Sequence, residues 1–380
     1  MKKYFIKILI SAFKLILNIV YMPVKLFPVR ENKVLFCSRQ SNDIPLDFRL
    51  IEDALKKENP EIMCVFICRR IGNKIKDYLI FGAAMIRSMY YLATCRVCVL
   101  DSYWPTVSML KHKRALSVIQ IWHAIGKIKK SGRASLGATS GRNGDLAEAL
   151  NMHRNYDYII AGAPVWNKYY CQSFGVNEDK LMNYGLPRID YLIDTEESNR
   201  EKFFKENPEL KGREIILYAP TFRRNMESRW AQITESIDCN RYVLIIKNHP
   251  SQRLYGEKPR DGVYYFDDWK AMDLIAVCDY VITDYSAIAL EAAVLDRKTY
   301  YWAYDYEEYT RNNGLNIDLY DIVPGNVFKD AKDIMKNIEE GIFDTEQFKA
   351  YKEKFLPDDT GNATAKICDL ITECLMKGKG

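Results

Sequence analysis

Short apolar runs alternate with helix-length amphipathic stretches along most of this chain, and this alternation constrains its fold more than any other feature. The runs are typical of strands, and helical patterns lie between them, near 47–57 and 74–94 in the first half and 271–278 and 286–295 in the second. Strand–helix alternation predicts an α/β fold in which parallel strands are covered by helices on both faces. The predicted strands are VLFCS (34–38), MCVFICR (63–69), VCVLD (97–101), SVIQIW (117–122), YIIAG (158–162), EIILYAP (214–220), YVLIIK (242–247), VYYF (263–266), YVIT (280–283) and TYYWA (299–303).

A polar segment at 194–214 interrupts the alternation before it restarts. The length of 380 residues exceeds one ordinary domain of about 150 residues, and 48% hydrophobic residues can fill two cores. We therefore expect two Rossmann-type, doubly wound domains, with a cleft between the carboxyl ends of both sheets. The expected division is a membrane-associating segment at 1–29, a first domain at 30–193 and a second domain at 194–380.

Composition excludes several classes of protein. A net charge of +5 is too mild to indicate a nucleic-acid partner. Most of the ten cysteines lie in apolar, strand-like runs, and a large chain with no cleavable signal sequence is expected to be cytosolic with reduced thiols. Cys95 and Cys98 form a CxxC with no second pair or nearby histidine, which favours a buried core over a zinc site. The sequence has no GxGxxG, P-loop, HExxH or DxD motif, so neither a metal nor a cofactor is implied.

The amino terminus has a distinct pattern. Its longest charge-free run, from Leu15 to Val24, is shorter than the roughly 20 residues that span a bilayer as a helix. Polar residues recur on one side of the predicted helix, the other positions up to Tyr21 are almost all apolar, and Pro23 ends the pattern. This pattern predicts a helix in the headgroup plane of an anionic membrane; the alternative is a helix docked on its own protein core. The polar stripe consists of Lys3, Lys7, Ser11, Lys14 and Asn18.

Two of the four histidines directly follow predicted strands, where ligands meet an α/β sheet. His123 ends SVIQIWH in the first half, and His249 lies in VLIIKNHP in the second. A hydrogen-bonded structural histidine is the usual alternative for either one alone. Because two such histidines in equivalent places would meet when the cleft closed, both are candidate catalytic residues. His112 and His153 lie in charged surroundings and are expected at the surface.

The stretch YVITDYSAIALEAAVLD predicts a phosphate site at the end of a strand. Ser286 and Ala287 open the predicted helix, where main-chain N–H groups can hold a diphosphate; an ordinary serine N-cap is the alternative. Asp284 is an unusual neighbour for a phosphate unless it caps the turn or contacts a hydroxyl. Glu291 is placed either to reach a ribose or polyol hydroxyl or to face solvent.

Cationic side chains near these motifs suit anionic ligands. In YAPTFRR, Thr221 and Arg223 follow a strand, and an arginine can neutralise a phosphate; a surface salt bridge is the alternative. A basic cluster follows His123 beside a glycine-rich stretch. It is expected to form either a mobile loop over an anionic acceptor or a solvated basic loop. Its members are Lys127, Lys129, Lys130 and Arg133.

Four motifs resemble, in order and spacing, the CDP-glycerol glycerophosphotransferase family of teichoic-acid synthesis. They are IQIWHAIGKIKKSG, ILYAPTFR, IIKNHP and VITDYSAIALEAAVLDRKTYYWAYDYEEY, within residues 115–325. The resemblance implies a GT-B-like fold and makes His123 and His249 the counterparts of the family's essential histidines. Ala124 departs from the glycine that many members have after the first of these.

The resemblance implies an enzyme that transfers glycerol phosphate from CDP-glycerol to a hydroxyl of an undecaprenyl-diphosphate-linked glycan and releases CMP. His123 is expected to act as base and His249 on the donor diphosphate, although the two roles could be exchanged. The single module with a membrane-binding segment is similar to the primases of the family, and a peripheral location on the cytoplasmic face of the cell membrane follows. Alternatives are a CDP-ribitol donor, a GT-B glycosyltransferase using a nucleotide sugar, and a catalytically silent glycan-binding protein.

Overall fold

The computed structural model describes residues 2–72, 74–139, 141, 143–221, 229–247 and 261–377, and they form two α/β units. Each unit has one six-stranded sheet in which every strand pairing is parallel. The strands of the first unit are β1 (Arg30–Ser38), β2 (Met63–Cys68), β3 (Cys95–Leu100), β4 (Ser117–Gln120), β5 (Tyr158–Ile160) and β6 (Leu181–Met182). Those of the second unit are β7 (Glu214–Tyr218), β8 (Tyr242–Ile246), β9 (Val263–Tyr264), β10 (Tyr280–Thr283), β11 (Lys298–Trp302) and β12 (Val327–Phe328).

In the part of the chain that the structure describes, helices lie between most successive strands, as the alternation predicted. In chain order they are α1 (Lys2–Val24), α2 (Leu46–Glu58), α3 (Ile75–Thr94), α4 (Pro105–Met109), α5 (Gly144–Ala149), α6 (Asn167–Phe174), α7 (Pro187–Asp194), α8 (Glu196–Glu206), α9 (Trp230–Ser236), α10 (Ala271–Val277), α11 (Ile288–Val294), α12 (Tyr306–Asn313), α13 (Leu319–Ile322), α14 (Ala331–Glu339), α15 (Thr345–Phe355) and α16 (Ala363–Met376). The central strands are buried on both faces, which explains why they are continuous apolar runs.

The strand order of each sheet identifies where its ligands should bind. The order is β2-β1-β3-β4-β5-β6 in the first unit and β12-β11-β10-β7-β8-β9 in the second. Successive connections leave in opposite directions from β1 and β3 in the first unit, and from β7 and β10 in the second. Open α/β sheets bind ligands at the carboxyl ends of the strands that flank such a switch point. Polar side chains near the carboxyl ends of these four strands are therefore candidate ligand contacts.

The two units differ from the expected division in their sequence limits. The first unit comprises residues 1–124, 130–190 and 359–380, and the second comprises 125–129 and 191–358. The last residues thus belong to the first unit and not to the domain expected at 194–380. Helix α16 packs against α2 and β3, and the Asp190 carboxylate accepts hydrogen bonds from the main-chain N–H groups of Ala363 and Thr364 at its start. Satisfying these two N–H groups fixes where the returning helix begins.

Helix α1 is docked on the first unit through its polar side. The Lys14 ammonium donates to the Ala149 carbonyl oxygen at 3.0 Å, and the Lys7 ammonium lies 3.0 Å from the Asp145 carboxylate. Further along the helix, the Asn18 side-chain amide donates to the carbonyl oxygen of Met109 at 3.2 Å. The stripe that we expected to meet headgroups therefore contacts protein at these three positions.

The end of α1 is held by a half-buried histidine. The Tyr21 hydroxyl lies 3.2 Å from Nδ1 of His112, and Nε2 of that ring lies 2.8 Å from the carbonyl oxygen of Val107. A carbonyl can only accept, so Nε2 carries the proton and Nδ1 accepts from the hydroxyl. Burial lowers the pKa of His112 to about 4. His112 is half-buried and both of its ring nitrogens have partners, so it is not the exposed residue that we expected. Its charged sequence neighbours do not reveal an aromatic partner 91 positions away.

The outward side of α1 is apolar. Helix α3 packs beside α1 and adds exposed apolar side chains of its own. By length and composition, the segment Lys7–Val24 is also apolar enough to cross a bilayer. We call the exposed side chains of the two helices the N-terminal apolar face. They are Ile8, Leu9, Phe13, Leu15, Ile16, Ile19, Val20 and Met22 from α1 and Ile75, Tyr78, Leu79 and Ile86 from α3, all more than half exposed.

Candidate active site

His123 reaches the switch point of the first sheet from β4, the strand next to β3. It follows β4 by three residues, and its Nδ1 is 2.8 Å from the main-chain carbonyl oxygen of Asp101, which directly follows β3. Because a carbonyl can only accept, Nδ1 carries the proton and the lone pair of the neutral ring is on Nε2. The side-chain amide of Gln40 lies 3.2 Å from the same Nδ1. This tautomer has Nε2 as the atom that can take a proton.

The strained backbone of Trp122 sets the position of the His123 side chain. Trp122 has φ of 61°, the left-handed region that a bulky side chain rarely adopts and that costs about 1–3 kcal/mol. Its N–H donates at 2.9 Å to the side-chain oxygen of Gln120, which is fully buried. Its ring packs at 4.0 Å between centroids on His123 and edge-on to Phe174 at 5.3 Å. These contacts hold a sharp turn immediately after β4, and the turn places the imidazole at the sheet edge.

His153 supports this turn from inside the protein. It is buried, its Nδ1 lies 3.0 Å from the Tyr156 hydroxyl, and its ring packs edge-on against Phe174 and Tyr103. The expectation of a surface histidine was therefore wrong here too. Its left-handed φ of 65° turns the side chain into the core beneath Trp122, which the charged neighbours in the sequence could not show.

The carboxylate of Asp101 lies at the same switch point. Ser38, the last residue of β1, donates its hydroxyl hydrogen bond to Asp101 Oδ2 at 2.6 Å. Burial raises the pKa of Asp101 to about 6, and the hydrogen bond from Ser38 partly opposes that rise. The main-chain carbonyl of Asp101, and not this carboxylate, accepts the hydrogen bond from His123. The site is therefore organised differently from a carboxylate–histidine pair.

The switch point of the second sheet is closed by Asp284. Its two carboxylate oxygens each lie 3.0 Å from the main-chain nitrogen of Thr221, and Tyr285 N–H donates to Oδ1 at 2.6 Å. Thr221 comes three residues after β7 and Asp284 directly after β10, the two strands that flank the switch point. Of the roles open to Asp284, the structure shows that of a turn cap. Its charge is taken up by main-chain N–H groups of the protein.

Ser286 and Ala287 are the accessible part of this turn. They are half-buried, whereas the residues on either side, 280–285 and 288–293, are buried. Helix α11 begins at Ile288, two residues later than expected, and Ser286 Oγ accepts from Ile288 N–H at 3.4 Å. Glu291 is 7% exposed, so it does not face solvent, which was one of its two expected settings.

Aromatic stacking holds Tyr285, the residue that follows Asp284, in place. The Tyr285 ring stacks on Tyr309 with centroids 4.1 Å apart, and its hydroxyl donates to Asp305 Oδ1 at 3.0 Å. Tyr285 is fully buried, so its hydroxyl requires such a partner. This contact explains the later part of the motif, AYDYEEY, whose Asp305 and Tyr309 hold the residue after Asp284.

The basic cluster that follows His123 is divided between the two units. Lys127 and Lys129 belong to the second unit, whereas Lys130 and Arg133 belong to the first. Asn316 clamps the first pair, because its side-chain amide donates to the carbonyl oxygen of Lys127 at 2.7 Å and to that of Lys129 at 3.3 Å. The four basic residues therefore do not form a single loop, as both alternatives from the sequence assumed.

The two lysines of the second unit have different surroundings. Lys127 is buried, and burial lowers its pKa well below the usual value, so it is not a solvated loop residue. The ammonium of Lys129 lies 3.5 Å from Oγ1 of Thr221, which brings a cation to the switch point that Asp284 closes. The sequence had associated Lys129 with the first half of the chain.

Two predicted site residues lie outside the described residues, namely Arg223 and His249. The strand before His249 is described: β8 ends at Ile246, and Lys247 N–H donates to the carbonyl oxygen of Tyr218 at 2.9 Å. Sequence reasoning missed Gln40, Asp101 and the role of Trp122. Asp101 could have been found, because it is a polar residue directly after a buried strand.

Both switch points contain residues of the motifs noted in the sequence. Residues 19–373 match the sequence profile of the family described as CDP-Glycerol:Poly(glycerophosphate) glycerophosphotransferase. The chain belongs to this family. It is 28% identical over 366 residues to the teichoic acid ribitol-phosphate primase of Bacillus spizizenii, covering 93% of this chain and 94% of that protein. It is 26% identical over 294 residues to the teichoic acid glycerol-phosphate primase of Bacillus subtilis, covering 76% of each.

The fold of this glycerophosphotransferase family member is also found in a solved structure. A variant of the wall teichoic acid polymerase TagF, soaked with CDPG, superposes with a TM-score of 0.74 at 18% identity, over 99% of this chain and 98% of that one. The two Rossmann-type units are thus GT-B-like, as expected. The family membership makes the protein an enzyme of the teichoic acid glycerophosphotransferase type.

Proposed function

We propose that this enzyme transfers an alditol phosphate, glycerol phosphate in the first instance, from a CDP-alditol to a hydroxyl of a lipid-linked glycan and releases CMP. The observation that carries this proposal is the set of polar side chains at the two switch points. One has an imidazole with a defined tautomer, and the other has a turn closed by Asp284 with a lysine beside it. A proton acceptor and a cationic turn are what phosphoryl transfer to an alcohol requires.

In the proposed reaction, the first unit binds the acceptor and His123 is the base. Nε2 of His123 takes the proton of the acceptor hydroxyl as its oxygen bonds to the phosphorus that carries the alditol. The bond from that phosphorus to the bridging oxygen breaks, and CMP departs with the electron pair. The hydrogen bond from Nδ1 to the Asp101 carbonyl supports this role, because it stabilises the ring when Nε2 becomes protonated. No covalent enzyme intermediate is needed.

The second unit binds the donor in this proposal. The half-buried turn at Ser286 and Ala287 holds the diphosphate through main-chain N–H groups, beside Thr221. Lys129, which we expected on the acceptor side, is assigned here to the donor because of its contact with Thr221. Arg223 is proposed to neutralise the transferring phosphate, Glu291 to bind a hydroxyl of the ribose or alditol, and His249 to assist the departing CMP. Lys130 and Arg133, which belong to the first unit, remain proposed contacts of the acceptor.

The test is CMP release from a panel of donors, with and without lipid-linked disaccharide. We expect CMP from CDP-glycerol or CDP-ribitol in the presence of the acceptor, and no UDP from UDP-sugars. UDP release would instead identify a nucleotide-sugar enzyme. If no donor yields product and the alanine variants of His123 and His249 retain the cellular role, the protein is a glycan-binding protein.

A ribitol donor is the second candidate. The observation that favours it is the 28% identity to a ribitol-phosphate primase over nearly the whole of both chains, against 26% over 294 residues for a glycerol-phosphate primase. The same panel distinguishes the two, because each CDP-alditol is assayed alone at equal concentration.

We further propose that the enzyme is peripheral on the cytoplasmic side of an anionic membrane and meets it through the N-terminal apolar face. The polar side of α1 is bonded to the protein, so crossing the bilayer would break the contacts of Lys7, Lys14 and Asn18. Lying on the surface instead buries the exposed side chains of α1 and α3 in the boundary between headgroups and acyl chains.

Charging this apolar face should release the protein from membranes. The double variant Ile16→Asp/Ile19→Asp is expected to lower binding to phosphatidylglycerol vesicles by about 100-fold, because two exposed apolar side chains no longer enter the lipid. The matched control Ile342→Asp/Met376→Asp adds the same charge at two similarly exposed apolar positions and should bind nearly as the parent does. Sedimentation with vesicles measures both. Equal losses in the two variants would show that charge alone, and not this face, governs binding.

A further inference from the structure

Two arginines follow neighbouring strands at the carboxyl edge of the first sheet. Arg39 comes directly after β1 and Arg69 directly after β2, and the last residues of these strands, Ser38 and Cys68, are paired. Arg69 N–H donates to the carbonyl oxygen of Ser38 at 2.9 Å, which continues the pairing by one residue. The main chains of the two arginines are therefore adjacent at the sheet edge where His123 also lies.

Arg39 is held in place by two aromatic rings and by hydrogen bonds. The guanidinium carbon Cζ of Arg39 lies 5.6 Å from the ring centroid of Phe81 and 5.8 Å from that of Tyr103. Its Nη1 donates to the Tyr103 carbonyl oxygen at 3.1 Å. Its main-chain N–H donates to Ser102 Oγ at 3.0 Å. The cation–π contacts and these hydrogen bonds restrict where the planar fork of donors, which suits a phosphate, can lie. Arg39 is thus oriented before any anion binds.

Arg69 has a buried donor group. Its Nε is buried without a hydrogen-bond acceptor among the described residues, and its guanidinium forms no ion pair with any of them. A buried N–H that lacks an acceptor costs about 1–3 kcal/mol. An anion at this position would remove that cost.

Arg39 is linked by contacts to the helix α3 of the N-terminal apolar face on one side and to His123 on the other. Phe81, which contacts Arg39, belongs to α3, whose outer side chains Ile75 and Leu79 are exposed. On the other side, the residue after Arg39 is Gln40, whose side-chain amide lies 3.2 Å from His123 Nδ1. A ligand with an apolar tail, an anionic group and a sugar would meet the three regions in that order.

From this order we infer that Arg39 and Arg69 form a subsite for the diphosphate of a prenyl-diphosphate-linked acceptor. The inference rests on the proposed function, because it places the acceptor sugar at His123. Two guanidinium groups suit the charge of a diphosphate better than that of a single lipid phosphate. The Asp101 carboxylate also lies at this edge, and its Oδ2 accepts a hydrogen bond from Ser38.

One experiment compares two acceptors that carry the same disaccharide, one on a prenyl diphosphate and one on an uncharged alkyl chain. In the parent protein, kcat/KM for CMP release should be higher with the diphosphate acceptor. In Arg39→Gln the ratio of the two values should fall by about 10–100-fold, as expected when a hydrogen-bonded charge is lost. Arg69→Gln, which removes no ring contact, should lower the ratio in the same direction and provides the test if Arg39→Gln does not fold. An unchanged ratio in both variants would overturn the subsite.

A second measurement does not depend on catalysis. Equilibrium dialysis with labelled farnesyl diphosphate should show binding that weakens about 10–100-fold in Arg39→Gln but not in Arg87→Gln, a matched control whose guanidinium stacks on Tyr91 of the same helix. If no CMP is released by the parent, the proposed function fails, and dialysis still decides the subsite. If Arg39→Gln weakens binding to phosphatidylglycerol vesicles as strongly as binding to farnesyl diphosphate, Arg39 contacts lipid headgroups and the inference is wrong.

Discussion

Replacing His123 with alanine is expected to lower the turnover of CMP release by about 10²–10⁴-fold, because the acceptor hydroxyl then loses its general base. The structure supports this role through the tautomer: Nδ1 donates to the Asp101 carbonyl at 2.8 Å, so the lone pair is on Nε2. The measurement is kcat at saturating donor and acceptor, which excludes an effect on binding alone. The folded state of the variant is checked by its thermal unfolding.

Asp101→Asn is the informative control for His123→Ala. The hydrogen bond to the imidazole comes from the main-chain carbonyl, which the substitution preserves, and burial already raises the pKa of the carboxyl group to about 6. We therefore expect Asp101→Asn to cost less than about tenfold in kcat, far below the 10⁴-fold loss when the carboxylate of a Ser-His-Asp triad is replaced. A near-normal kcat for His123→Ala would refute the proposed base.

Asp284→Ala is expected to lower the free energy of unfolding by about 2–5 kcal/mol. The carboxylate accepts hydrogen bonds from the N–H groups of Thr221 and Tyr285, and both donors would be left buried without it. The turn at the second switch point would lose its closure, so the KM for CDP-alditol should also rise more than the KM for acceptor. Urea unfolding and steady-state kinetics measure the two effects.

Two further variants make the Asp284 result interpretable. Asp284→Asn keeps one acceptor oxygen and should lie between the parent and the alanine variant in both measurements. Asp268→Ala, at an exposed position of the same unit, should change the unfolding free energy by no more than about 0.5 kcal/mol. Equal stability of the Asp284→Ala and Asp268→Ala variants would show that the turn does not depend on its carboxylate.

The α/β architecture was predictable from the sequence because each central strand is buried on both faces. Such strands are continuous apolar runs, and the expected strand at 34–38 lies inside β1, just as the one at 242–247 contains β8. The short edge strands β6 and β12 were missed. Two residues each are too few to give a pattern, and their pairing partners lie elsewhere in the chain.

The orientation of α1 could not be predicted from its own periodicity. A helix with one polar side fits a membrane surface or a protein surface equally well, and the choice depends on groups such as the Ala149 carbonyl and Asp145. The positions of the half-buried His112 and the buried His153 could not be predicted for the same reason, since each finds its partners through tertiary contacts.

The candidate site was only partly predictable for a related reason. Residues directly after strands, such as His123 and Asp284, could be found from the sequence because strand ends mark a sheet edge. The contacts of Lys129 could not be found from the sequence. Thr221, which lies near its ammonium, is 92 positions away, and Asn316, which donates to its carbonyl oxygen, is 187 positions away.

The return of α16 to the first unit has a consequence for biosynthesis. All residues of the second unit have left the ribosome's catalytic centre before residue 359 is added, whereas the first unit still lacks the helix that Asp190 caps. The half of the protein that is translated first is therefore the half that finishes folding last. A purified chain that ends at residue 358 should therefore have a protease-sensitive first unit and a resistant second unit.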